Sequence, residues 1–97
     1  MTRLGTLARK IRSKNAGPFW ITVDIFCAEH YSEICRRLTI TDISRIVQID
    51  TGKIRRFDIE MLQVIKISFP RHSPQGSLRD RDMHGAQIAV LFAELEI

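Results

Sequence analysis

The clearest periodic signal in the chain runs from Phe19 to Cys27. Phe19, Ile21, Val23 and Ile25 alternate with Trp20, Thr22, Asp24 and Phe26. A period of two marks a strand, and its wholly apolar face must meet a core. The other face mixes aromatic and polar side chains, so it is expected to be half covered by another element or by a second subunit. Ahead of this strand, Leu4, Leu7, Ala8 and Ile11 follow the i, i+3, i+4, i+7 spacing of one helical face. A helix is predicted there, with a short edge strand over Arg3–Leu7 as the alternative. Asn15 to Pro18 is a break, rich in residues that interrupt regular structure.

Beyond Cys27 the period changes to that of a helix. Tyr31, Ile34, Cys35 and Leu38 share one face over residues 29–38, while Glu33, Arg36 and Arg37 point away. Thr41-Asp42 is a predicted N-cap for a second helix, with Ile43, Ile46 and Val47 as its buried stripe. Residues 53–59 and 62–69 read as two strands of a hairpin, turned near Glu60-Met61 and ended by Pro70. A polar loop from Arg71 to Asp82 follows. Residues 85–91 read as a helix, and the alternation of Phe92, Glu94 and Glu96 with Ala93, Leu95 and Ile97 predicts a closing strand. The element order is that of an α+β domain, a ferredoxin-like split βαββαβ pattern with a mostly antiparallel sheet and helices on one face. At 97 residues the chain is expected to form a single domain, 1–97.

Charge changes this picture at one end. The net charge is +4, yet residues 1–23 hold Arg3, Arg9, Lys10, Arg12 and Lys14 and no acid, while the other ten cations are outnumbered by eleven acids. A basic end of this kind meets an anion, an acidic protein, a lipid surface or nucleic acid. Nucleic acid is the weakest of these expectations, because no recognition-helix or RNA-binding signature accompanies the charge. No apolar run approaches a membrane span, and no membrane partner is expected. Cys27 and Cys35, the only cysteines, fit no zinc spacing and fall on apolar faces, so free thiols and a cytoplasmic location are expected.

Two segments carry candidate chemistry. In the first, Arg12, Ser13, Lys14, Asn15 and Gly17 form a loop suited to an anion: two cations, a hydroxyl, an amide and a glycine that lets the backbone approach closely. The competing reading is a basic surface turn. The second segment, Arg71 to Gln87, offers Arg71 and Gln87 as further contacts and Asp82 and His84 as secondary candidates. In the expected fold its start lies near the Gly17-Pro18 turn, which would join the two segments in one polar pocket. The competing reading is a solvated connection with balanced charges. His72, Asp82 and His84 match no standard metal spacing, and no Ser, His and Asp set lies in a nucleophile-elbow context. No metal or cofactor is therefore expected.

The chain resembles a small uncharacterised family associated with AtuA-like (acyclic terpene utilisation) proteins, and is similar to the domain that ends many of them. The likeness is carried by Leu4-Gly5-Thr6-Leu7-Ala8, Arg12 to Pro18, Phe69-Pro70-Arg71, Gly76-Ser77, Asp82 to Gln87 and Glu94-Leu95-Glu96-Ile97. The resemblance implies a ferredoxin-like fold and an accessory role beside a larger AtuA-like partner. The expectation is an accessory or binding subunit, a homo-oligomer or part of such a complex, holding a small anionic metabolite. The alternative is a small enzyme acting on a carboxylated or thioester-linked substrate, with His84 or Asp82 moving protons.

Overall fold

The alternation of Ile21, Val23 and Ile25 with polar neighbours places residues 20–26 at the centre of the sheet in a computed structural model, which describes residues 2–71 and 87–97. In chain order the elements are α1 (Leu4–Leu7), β1 (Lys10–Asn15), β2 (Trp20–Phe26), α2 (Tyr31–Arg37), α3 (Ile40–Val47), β3 (Arg55–Ile59), β4 (Val64–Pro70) and α4 (Ile88–Glu94). Short 3₁₀ turns at Ala28–His30, Thr51–Lys53 and Glu60–Leu62 join several of them. These strands form one antiparallel sheet in the order β1-β2-β4-β3. This is a mixed α+β architecture consistent with the predicted ferredoxin-like class.

One face of the sheet is sealed. Ile21, Val23 and Ile25 of β2 and Ile65, Ile67 and Phe69 of β4 are buried in a single cluster with Leu4, Ile34, Leu38, Ile43, Val47, Phe92 and Leu95 from the helical segments. Each strand contributes every second residue, as its pleat requires. Gly5 lets α1 lie against α4: a β-carbon there would come within 2.9 Å of the Ala93 Cβ and carbonyl oxygen.

Two predicted elements differ at the ends of the chain. The predicted helix over residues 4–11 stops at Leu7, and Lys10–Asn15 is an edge strand rather than a helix end and loop. Its backbone pairs with β2 from Lys10↔Phe26 to Asn15↔Ile21. At the other end, the predicted closing strand over residues 92–97 is replaced by α4. Phe92 and Leu95 are buried, Ile88 is partly buried, and their i, i+4, i+7 spacing is helical. Only an isolated bridge, Arg3↔Glu96, remains extended there. After the short α1, the order of the described elements is thus ββααββα: the strand expected last comes first.

The middle of the chain follows the periodic reading more closely. The N-cap of α3 is Thr39, two residues before the predicted Thr41-Asp42 cap, and its hydroxyl accepts from the Asp42 amide at 3.1 Å. Arg56 ties β3 to the end of α2. Its guanidinium donates to the carbonyls of Leu38 (2.5 Å) and Cys35 (3.0 Å), and to Asp58 at 2.8 Å. The last carbonyls of a helix have no partner within it, so this cation satisfies them and sits at the negative end of the helix dipole.

Because the Arg56 side chain is only 16% exposed, Arg56→Ala is expected to lower unfolding free energy by about 2–3 kcal/mol, the range for charge-assisted hydrogen bonds to partly buried acceptors. Urea denaturation checks this. Arg56→Lys should recover little, since an ammonium cannot span three acceptors with the geometry of a guanidinium.

Candidate functional site

Pleating divides the first candidate segment between two faces. Cross-strand partners share a face, so Ser13 lies with Val23 and Ile67, and Asn15 with Ile21 and Phe69, on the helix side. Arg12 lies with Asp24 and Lys66, and Lys14 with Thr22 and Ser68, on the opposite side. The two cations and the two neutral hydrogen-bonding groups of the expected anion loop therefore point in opposite directions. Gly17 sits in the β1–β2 turn with φ +81°, a left-handed conformation that glycine adopts without cost, and a β-carbon there would meet nothing within 4 Å.

Arg71 comes to the first segment. Its guanidinium donates to the Asn15 side-chain oxygen, and its backbone amide donates to the Phe19 carbonyl at 2.6 Å. Ser13 is also engaged: its hydroxyl accepts from the Ala89 amide at 3.0 Å, in the first turn of α4. Gln87 is exposed and immediately precedes that helix, its carbonyl accepting from the Val90 amide at 3.1 Å. Arg71 thus meets Asn15 past the end of β4, the first turn of α4 meets Ser13, and both contacts hold the edge strand to its neighbours; Gln87 lies just before α4. Asp82 and His84 lie outside the described residues.

The side of the sheet away from the helices carries what strand assignment alone reveals. Its rows read Lys10–Phe26–Val64–Ile59, Arg12–Asp24–Lys66–Phe57 and Lys14–Thr22–Ser68–Arg55, followed by Trp20–Pro70. No described helix covers this face. Phe57 is 52% exposed and Trp20 36%, and the Arg55 guanidinium lies 5.7 Å from the centre of the Trp20 ring. Among the described residues, these rows hold five cations, Lys10, Arg12, Lys14, Arg55 and Lys66, and one acid, Asp24. At their centre Thr22 Oγ1 and Asp24 Oδ1 are shielded from solvent and have no hydrogen-bond partner among the described residues. Lys66 Nζ lies 3.8 Å from that carboxylate oxygen, an ion pair too long for a hydrogen bond. Phe57, Arg55 and Lys66 were not candidates from sequence; only the β3–β4 register places them beside Arg12 and Lys14.

Among the described residues, no group of three or more His, Cys, Asp or Glu side chains could hold a metal ion, and no helix is long and apolar enough to cross a membrane. Cys27 and Cys35 are free thiols, Cys27 buried and Cys35 half-buried. Burial, with Cys35 adding to it, pushes the Cys27 thiol from 9.0 up to about 11. It stays protonated at neutral pH and is a poor nucleophile.

Residues 4–96 match the family described as a domain of unknown function, DUF4387, and the chain belongs to that family. No curated protein and no solved structure matches the chain.

Arg71→Ala and Asn15→Ala should each cost about 1–2 kcal/mol of stability, with a coupling of about 1 kcal/mol in a double-mutant cycle, because they share a hydrogen bond. Arg12→Ala and Lys14→Ala, on exposed positions, should stay within about 0.5 kcal/mol of wild type in the same urea titrations. The Cys27 thiol titrates above its unfolded value, so the unfolded chain releases this proton first. Its contribution is full below about pH 9 and is lost as pH rises toward 11. Denaturation midpoints measured across that window should fall in the wild type, and the fall should be shallower in Cys27→Ala.

Proposed function

We propose that this chain, from a family without an assigned activity, is an accessory binding subunit that docks a larger partner protein through the open face of its sheet. The carrying observation is that face: exposed Phe57 and Trp20 among five cations and a single acid, Asp24, of the described residues. Exposed aromatics with arginine are what buried interface centres are built from.

Charge selects the kind of partner. A second copy placed face to face would set cation against cation, at a cost, whereas a partner with acidic and apolar groups is complementary. A heteromeric complex is therefore favoured over a homo-oligomer built on this face. The resemblance in Leu4–Ala8 and Arg12–Pro18 points to an AtuA-like protein as that partner. Arg12 and Lys14 lie on the same face, so a small anion held by them would sit at the junction of the two proteins.

Co-expression with the AtuA-like protein of the same host, followed by affinity purification and size exclusion, tests this reading. A stable complex of the two is expected. Phe57→Asp should weaken it by about 2 kcal/mol or more, as loss of a buried aromatic anchor does, while Arg45→Glu on helix α3 should leave it intact. Elution of the two wild-type proteins apart would overturn the proposal.

A further inference from the structure

At the end of the open face opposite Trp20, the chain forms a groove of about 380 Å³. Arg9, Lys10 and Arg12 bring three cations to it from the start of β1, and Phe26 and Leu62 bring apolar surface. Among the described residues, no acid lines it, and none of the three cations has a side-chain hydrogen bond or ion pair. Leu62 is 66% exposed and lines the groove beside these cations.

The rim is fixed by backbone rather than by side chains. The Arg9 amide donates to the Phe26 carbonyl at 2.8 Å, and the Cys27 amide to the Gln63 carbonyl at 2.9 Å. Ala28 and Gln63, both lining the groove, have φ of +52° and +53°. At Gln63 this is the usual way to leave a turn, here the one over Glu60–Leu62. Ala28 instead begins the turn after β2, where its β-carbon makes the left-handed conformation unfavourable. Conformations of that kind collect at ligand clamps, because the surrounding structure must enforce them.

We propose that this groove binds a small anionic amphiphile, a carboxylate or phosphate joined to a short apolar chain. The anionic head pairs with Lys10 and Arg12, with Arg9 at the mouth, and the chain lies along Phe26 and Leu62. The volume falls at the low end of small-ligand sites, enough for a compact amphiphile. The inference concerns the isolated chain and does not rest on partner docking. It also sets the anion at the Arg9–Arg12 end of β1, away from Asn15 and Arg71.

Titration of the isolated chain with decanoate and with decyl phosphate, below their micellar concentrations, tests it by calorimetry and amide NMR. Inorganic phosphate and decyltrimethylammonium are the comparisons. Saturable binding of an anionic amphiphile is expected, with shifts confined to residues 9–12, 26–28 and 61–63. The tighter of the two anionic probes identifies the head group. Lys10→Ala combined with Arg12→Ala, and separately Leu62→Asp, should each weaken binding at least about tenfold, the loss of one charge-assisted or apolar contact set. These positions are exposed, so the variants should keep the wild-type melting curve. Equal binding of the cationic amphiphile, inorganic phosphate binding as tightly as decyl phosphate, or affinity unchanged by Leu62→Asp would overturn the assignment. Phe57→Asp, which reports on docking, should leave these titrations unchanged.

Discussion

Everything in this molecule depends on burying one face of a four-stranded sheet and only one. Apart from Val23, the inner rows of β2 and β4 are isoleucine and phenylalanine: Ile21, Ile25, Ile65, Ile67 and Phe69. Apolar area removed from water on that scale is the main favourable term in folding. It draws Leu4, Ile34, Leu38, Ile43 and Phe92 onto the same side. Val64 marks the boundary: it is buried, yet it lies on the outer face with Phe26 and Ile59 and stands apart from the central cluster.

The same constraint explains why the candidate binding surface is where it is. A strand cannot turn Arg12 inward without turning Ser13 and Asn15 outward, since a one-residue slip exchanges the faces. Ser13 and Asn15 are used inward, on the Ala89 amide and the Arg71 guanidinium. Lys10, Arg12 and Lys14 are then committed to the outer face. Cations along an edge strand also discourage pairing with a second chain, so the residues that guard the free edge of β1 are those that charge the open face.

Much of the fold was legible because its strongest segments are governed by local period. Residues 20–26 and 64–70 alternate, residues 31–37 and 40–47 repeat at helical spacing, and all four segments take the predicted form. The two ends were not legible in the same way. Lys10 to Asn15 has one apolar residue, Ile11, and no pattern of its own; it becomes a strand because β2 offers a row of unpaired backbone groups beside it. Residues 92–97 satisfy the period of a strand, but Ile88, Phe92 and Leu95 also satisfy that of a helix, and contact with α1 and β1 favours the helix.

The candidate site divides along the same line. Sequence alone determined that the excess positive charge lies at the N-terminal end, that β2 has one apolar and one mixed face, and that Arg71 follows the strand ended by Pro70. These are properties of residue type and short-range order, which no tertiary contact alters. Only the tertiary structure decided which neighbours those residues meet. Register across β1, β2, β4 and β3 set Arg12 beside Asp24, Lys66 and Phe57, and set Asn15 against Arg71. Hydrogen bonding between strands far apart in sequence carries no local signature, so the open cationic face and its groove exist only once the sheet has formed.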